Sequence, residues 1–276
     1  MPHKGNLLLA SLSPGDLAAL QPHLQPVHFE QDRVLFEAGD SIDATYFPTS
    51  AVISIVVTLS SGQVVEAAMV GRDGVVGASA ALDGRLSLSR AVIQLSGGAM
   101  VCSLVGLRSA AMQSQPLLSL LIRHEQTLYA QAQQSTACMA AHHVDARLCR
   151  WLLRSRDLSQ SDTLLFTQEF LAEMLGVSRP SVTVVAHTLQ QAGIIKYTRG
   201  KIHITNLAGL QDAACECYET VKSQYQGLLP RRSQPGNHSH SSLGSFLARF
   251  LVASSLAQNI SLRSMTWPSD PRMKAR

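Results

Sequence analysis

The segment FTQEFLAEMLGVSRPSVTVVAHTLQQAGII, Phe166 to Ile195, leaves its backbone little choice. Thr167 is a helix N-cap, with Gln168 and Glu169 in the first turn, where the helix dipole favours an acid. Leu171, Ala172 and Leu175 make the buried side of that helix. Gly176 supplies the left-handed residue that ends it, and Val177 plugs the corner. Ser178 caps a second helix, whose first turn tolerates Pro180 because those N–H groups have no helical partner. Val182, Val185 and Leu189 then face inward. Ala172 is small because the two helices cross closely above it. Every constrained position agrees on a helix-turn-helix.

The same period says what faces out: Arg179, Pro180, Thr183, Val184 and His187. In this motif the second helix enters the DNA major groove and its N-terminal residues meet base edges. Arg179 has the fork that fits guanine, and a thymine methyl accounts for an apolar Val184 on a wet face. Thr167, Ser178, Ser181, Thr183 and His187 suit hydrogen bonds to phosphate or base. The following KYTRGKIHI reads as a hairpin turning at Arg199-Gly200, with Arg199 and Lys201 directed at the sugar-phosphate backbone. Charge supports this. Between Glu173 and Asp212 there is no acid, while Arg179, Lys196, Arg199 and Lys201 all fall there.

The rest of the chain has other textures. Ser13-Pro14-Gly15-Asp16 starts a short helix. From Val27 to Ser103, β-branched runs alternate with Ser61-Gly62, Arg72-Asp73-Gly74 and Gly97-Gly98, the pattern of an antiparallel sandwich or roll. Pro116 opens a long helix in which Leu117, Leu121, His124, Leu128, Gln131, Ser135, Cys138 and His142 recur at three- and four-residue steps. Such a stripe is a core face or a two-stranded seam, and the seam is the expectation, since one helix between two domains has few other partners. Arg147 to Arg154 form a further helix with Leu148, Trp151 and Leu152 on one face. Asn206 to Leu229 read as a last helix. The expected fold is α+β: a β-roll over 1–115, a long dimerisation helix over 116–142, a winged helix-turn-helix over 143–229, and a disordered basic tail over 230–276. That tail carries seven basic residues against one acid.

This order of parts resembles the catabolite-activator/fumarate–nitrate regulator (Crp/Fnr) superfamily over about Leu7 to Leu229. TQEFLAEMLGVSRPSVTVVAHTLQQAGII with YTRGKIHI is its most specific piece; VLFEAGD, AVISIVVTLSSGQVVEAAMVGRDGVVG and HHVDARLCRWLL support it. The resemblance implies a cytoplasmic, homodimeric, sensor-linked regulator of transcription. Its partners would be double-stranded DNA with a two-fold symmetric operator, a second copy through the long helix, and RNA polymerase. An effector pocket would involve Gly77, Arg85, Ser89 and Arg90. The family's cyclic-nucleotide cassette is incomplete: Ala78 stands where the ribose-binding acid would be, and Ala91 follows Arg90 directly. A cyclic nucleotide is therefore not expected, and no other cofactor is indicated. In the recognition helix Arg179 matches the family, whereas Pro180 and Val184 replace its Glu and second Arg, so the operator should differ. An effector-binding module with vestigial DNA binding is the alternative, but it would have lost Arg179 and the basic wing.

No run of about 18 uncharged apolar residues appears, so no membrane span is expected. Five scattered cysteines indicate reduced thiols in a cytoplasm. Cys138 and His142 offer two ligands one helical turn apart, short of the four a tetrahedral site takes. Cys215 and Cys217 on a continuous helix would point about 200° apart. With Cys149 and His143 they read as buried thiols and a polar hinge, and no metal is expected. No nucleophile–base set or phosphate loop suggests an enzyme.

Overall fold

The computed structural model describes residues 2–82 and 86–229; the tail expected to be disordered lies outside them. Helices α1 (Leu7–Ser11) and α2 (Pro14–Leu20) lead into strands β1 (Leu24–Phe29), β2 (Val34–Phe36), β3 (Ala44–Pro48), β4 (Val52–Thr58) and β5 (Val64–Val70). Helix α3 (Ala78–Ala81), β6 (Arg90–Leu95), β7 (Gly97–Ser103), α4 (Leu104–Gln113), α5 (Gln115–Ala141) and α6 (Val144–Ser159) follow. The last part is β8 (Thr163–Leu165), α7 (Gln168–Leu175), α8 (Arg179–Gln191), β9 (Ile195–Thr198), β10 (Lys201–Ile204), α9 (Leu207–Asp212) and α10 (Cys217–Leu228).

The roll is two antiparallel sheets, ordered β1-β7-β3 and β2-β6-β4-β5. Apolar residues alternate inward as the sequence pattern requires; Ile53, Val70, Ala91 and Ile93 are fully buried between the sheets. Gly97 is obligatory, since a Cβ there would sit 2.4 Å from the Ala51 nitrogen. The N-terminal helix cap works as expected: Ser13 Oγ accepts the Asp16 N–H, with Pro14 beside it.

Helix α5 starts at the Ser114 cap with Pro116 in its first turn and runs 27 residues, about 40 Å. Its expected seam is not free. Leu117, Leu121, His124, Gln131, Ser135 and Cys138 are buried by their own chain. Val75 N–H donates to His124 Nε2 (3.2 Å), Gln131 Nε2 donates to the Met69 carbonyl (3.2 Å), and Tyr225 Oη donates to Gln131 Oε1 (2.8 Å). The polar half of the stripe is thus matched to backbone of the roll and to α10, a partner that helical periodicity does not reveal. The exposed side of α5 carries Ile122 and Tyr129 instead, at 42% and 67% exposure.

Helix α6 is buried on nearly every side, between the roll and the C-terminal helices. Leu148, Trp151 and Leu152 share one core with Val52, Val56 and Met69 of the roll and with Leu171, Leu175 and Leu189 of the helix-turn-helix. Three of its polar groups have partners across the packing interface. Arg154 Nη1 lies 2.6 Å from Asp73 Oδ2, with its guanidinium over the Tyr225 ring. Arg147 donates to the Leu175 carbonyl. Trp151 Nε1 donates to Glu66 Oε1 at 2.9 Å.

Three further departures are local. The winged sheet has three strands, β8-β10-β9, where the sequence indicates two. In α8 it is Ala186 that is buried with Val182 and Leu189, while Val185 is only half-buried. The helix expected over 206–229 is broken at 213–216 into α9 and α10.

Candidate nucleic-acid interface and effector cavity

Local capping sets the two helices of the motif. Thr167 Oγ1 accepts the Phe170 N–H (3.1 Å) and Ser178 Oγ accepts the Ser181 N–H (3.4 Å). Between them Gly176 sits at φ 62°, and the Gly176 and Val177 N–H groups reach the carbonyls of Glu173 and Ala172. With Val182, Ala186 and Leu189 inward, Arg179, Pro180, Thr183, Val184 and His187 are all exposed, as are Thr167 and Ser178. Val184 is 66% exposed, the apolar spot on a wet face that the spacing indicates. Ser181 departs from the rest: it is half-buried, and its Oγ is 2.8 Å from Ser178 Oγ, within the cap.

The outward face has its own order. Arg179 Nη1 donates to Glu169 Oε1 at 2.9 Å. Both groups are exposed, so the pair holds the guanidinium in place at little energetic depth and opens readily to a stronger acceptor. Thr183 Oγ1 lies 2.7 Å from Gln168 Oε1 and 3.1 Å from the Arg179 carbonyl. Sequence periodicity reads each helix alone, so it marks neither Gln168 nor Glu169 as a positioner of the recognition helix. In the wing, Arg199 (φ 41°) and Gly200 (φ 78°) form a two-residue turn whose positive φ angles match strand twist. Lys196, Arg199 and Lys201 flank or form it, and all three are exposed.

The roll encloses a cavity of about 420 Å³ against α5. Gly77 and Ser89 are among its lining residues. Arg90 is not; its Nε is 3.3 Å from Glu37 Oε1, and the neighbouring carboxylate is the simpler partner for it. Arg85 lies outside the described residues. Among the described lining residues the walls are mainly apolar, from Phe36, Ile42, Ile55 and Leu128, and Glu125 is the one charged group. A phosphate needs cations or clustered N–H donors, and none of the described lining residues is a cation.

The wall between roll and α6 contains a buried polar chain. Ser54 Oγ lies 2.5 Å from Glu66 Oε2 and 2.6 Å from Gln94 Oε1. Gln94 turns its Nε2 to Ser155 Oγ at 3.2 Å. A hydroxyl has one proton, and Gln94 Oε1 only accepts. Ser54 can therefore donate to only one of the two at a time; when Glu66 is protonated, the carboxyl can donate to Ser54 and leave the Ser54 proton for Gln94. Burial pushes the Glu66 carboxyl up to about 7, against the pull of Ser54 and of Arg150. Cys149, deep in the same core, has its thiol pushed up to about 12 by burial and is inert. Among the described residues no helix is long and apolar enough to cross a membrane.

Residues 146–213 match the family model of the Crp-like helix-turn-helix domain. Solved structures share the fold. A CRP-family transcriptional regulator from Thermus thermophilus is 18% identical, covering 68% of this chain and 96% of that one, with a TM-score of 0.58. A CRP/FNR-family regulator from the same organism is 21% identical, covering 69% and 98%, at 0.57. The c-di-GMP-responsive global regulator CLP of Xanthomonas campestris is 17% identical, covering 70% and 99%, at 0.55. No curated relative matches the chain by sequence.

Proposed function

We infer that this chain, which carries a Crp-like helix-turn-helix domain on the Crp/Fnr fold, is a sequence-specific DNA-binding regulator of transcription. It works as a homodimer on a two-fold symmetric operator, under control of a signal received by the roll, and its output passes to RNA polymerase. It is a cytoplasmic protein and not an enzyme. The observation that carries the reading is the outward face of α8: Arg179, Thr183, Val184 and His187 exposed together at the N-terminal part of a capped second helix, flanked by the basic wing. That set supplies a guanine-reading fork, a methyl contact and phosphate donors. Thr167, Ser178 and Pro180 frame it, Ser181 secures its cap, and Arg199 and Lys201 approach the backbone.

The dimer contact belongs to the exposed side of α5, through Ile122 and Tyr129, because the other stripe is filled by the chain itself. The effector of the roll is an apolar molecule without a phosphate demand, held by the cavity that Gly77 and Ser89 line. Selection of bound fragments from random-sequence DNA, at physiological salt and without added ligand, tests the function. Recovery of a palindrome with half-sites one turn apart, about 34–36 Å, supports a dimeric reader. Salt-sensitive bulk binding with no motif, persisting when cell extract is added, removes the sequence-specific reading.

A further inference from the structure

The break between α9 and α10 has a chemical consequence. It turns Cys215 and Cys217, which a continuous helix would point apart, onto one spot. Cys215 lies in the connecting turn and Cys217 begins α10. They meet Cys138, in the last turn of α5, and His142, its C-cap, which share a helix face by their four-residue step. The three thiols and the imidazole place one ligand atom each within 4.8 Å of all the others. Cys138 Sγ to Cys215 Sγ is 3.6 Å, and Cys217 Sγ to His142 Nδ1 is 3.6 Å. Metal–sulfur and metal–nitrogen bonds of about 2.3 and 2.0–2.1 Å around a tetrahedron give ligand–ligand edges of about 3.5–3.8 Å. These two edges have that length, and the other pairs lie within 4.8 Å.

The surroundings suit an ion as well. His142 Nε2 is 3.2 Å from Glu216 Oε1, so the carboxylate fixes the tautomer that leaves Nδ1 free to ligate. Gln134 Nε2 donates to Cys217 Sγ at 3.0 Å. Three thiolates, an imidazole and a divalent ion carry a net single negative charge, and the buried Arg147 and Arg150 of α6 lie close enough to act on these sulfurs. Compactness favours a mononuclear site, and three sulfurs with one nitrogen in tetrahedral reach favour zinc.

We propose that Cys138, His142, Cys215 and Cys217 bind one zinc ion, which staples the end of the long helix to the segment that follows the wing. The junction it closes is the α5–α6 turn at His142–His143. All ligands but His142, 23% exposed at its side chain, are buried, as a structural ion requires.

The full chain, produced with zinc supplied and purified with reductant and no chelator, is expected to hold one zinc per chain by elemental analysis. After zinc removal, cobalt(II) should give the intense d–d bands of a tetrahedral ion with sulfur-to-cobalt charge transfer. Cys215→Ser should abolish that charge-transfer pattern, while Cys102→Ala leaves it intact. Glu216→Gln, a change at an exposed residue, should weaken zinc retention roughly ten- to hundredfold through its effect on His142, with the circular dichroism of the fold read alongside. Zinc well below one equivalent together with no charge transfer on cobalt addition overturns the proposal. So does a Cys138–Cys215 disulfide in the reduced preparation, or a cobalt spectrum identical in wild type and Cys215→Ser.

Discussion

Replacing Glu66 by Gln should make the protein more stable at neutral and alkaline pH, and the gain can be sized from the structure. The carboxyl is fully buried, and burial raises it from 4.5 to about 7. Over that window the folded chain keeps a proton that the unfolded chain has released. Its folded value lies above its unfolded one, so stability falls as pH rises from about 4.5 to about 7 and levels off beyond. At about 1.4 kcal/mol per pH unit, the loss over the whole window is about 3 kcal/mol. Gln mimics the protonated acid: its Oε1 still accepts from Trp151 Nε1, and its Nε2 donates to Ser54 as the proton did. Denaturant unfolding of wild type and Glu66→Gln, followed by tryptophan fluorescence, gives the difference directly. Near pH 4 the two should unfold alike; near pH 8 the variant should be more stable by up to about 3 kcal/mol. Titrations common to both proteins cancel in that comparison. Parallel curves across this range, or a variant that loses ground as pH rises, would mean that Glu66 is ionised and held by Arg150, and the proton assignment along Ser54 and Gln94 would fall.

Further outcomes follow from the DNA-facing surface and the long helix. Arg179→Ala should weaken operator binding by about 1–3 kcal/mol and relax preference at one base position, measured by competition on single-base operator variants; equal loss on every sequence would reduce Arg179 to a phosphate contact. Lys201→Gln should weaken all DNA alike and lower the salt slope of binding by about one; an unchanged slope would place the wing away from the backbone. Tyr129→Glu puts a charge on the exposed stripe of α5 and should shift sedimentation from dimer to monomer, with the circular dichroism of the fold unchanged; a persistent dimer would move the contact off this helix face. Truncating Arg154 to Ala leaves Asp73 buried and unpaired and should cost about 3–5 kcal/mol in unfolding; a loss under about 1 kcal/mol would mean that water reaches the pair.

The parts legible in the sequence are those whose determinants are local. Thr167, Gly176 and Ser178 act on the backbone within a turn of themselves, so both helix caps and the left-handed corner can be read one by one. Arg199-Gly200 announces its hairpin for the same reason. Contacts between elements are not legible. The α5 stripe of His124, Gln131 and Ser135 looks like the softening seam of a coiled coil, because periodicity reports that a face is covered but not by what; here Val75, Met69 and Tyr225 cover it. The C-x-C spacing separates two thiols only on a continuous helix, and the break at 213–216 reverses its meaning. No single sequence signal marks that break, since Ala213, Ala214 and Cys215 are neutral in either conformation. Arg90 belongs to the pocket only by analogy of position, and the nearby Glu37 takes it out.

Helix α6 explains why the two halves of the molecule are coupled. An isolated winged module would need one apolar face on its first helix; this helix has none to spare, because the roll occupies what the helix-turn-helix leaves. The contact with the roll adds buried polar pairs to that shared apolar core, Asp73 with Arg154 and Glu66 with Trp151. Apolar packing tolerates sliding, whereas buried hydrogen bonds are satisfied in one register and costly in all others. The module is therefore held in one defined position rather than over a range. Strand β5 lines the cavity with Ala67 and Ala68 and, one residue earlier, offers Glu66 to Trp151. On the regulatory reading, a molecule that expands the cavity acts on the strand whose next residue locks α6, and the response is a switch between registers rather than a graded drift.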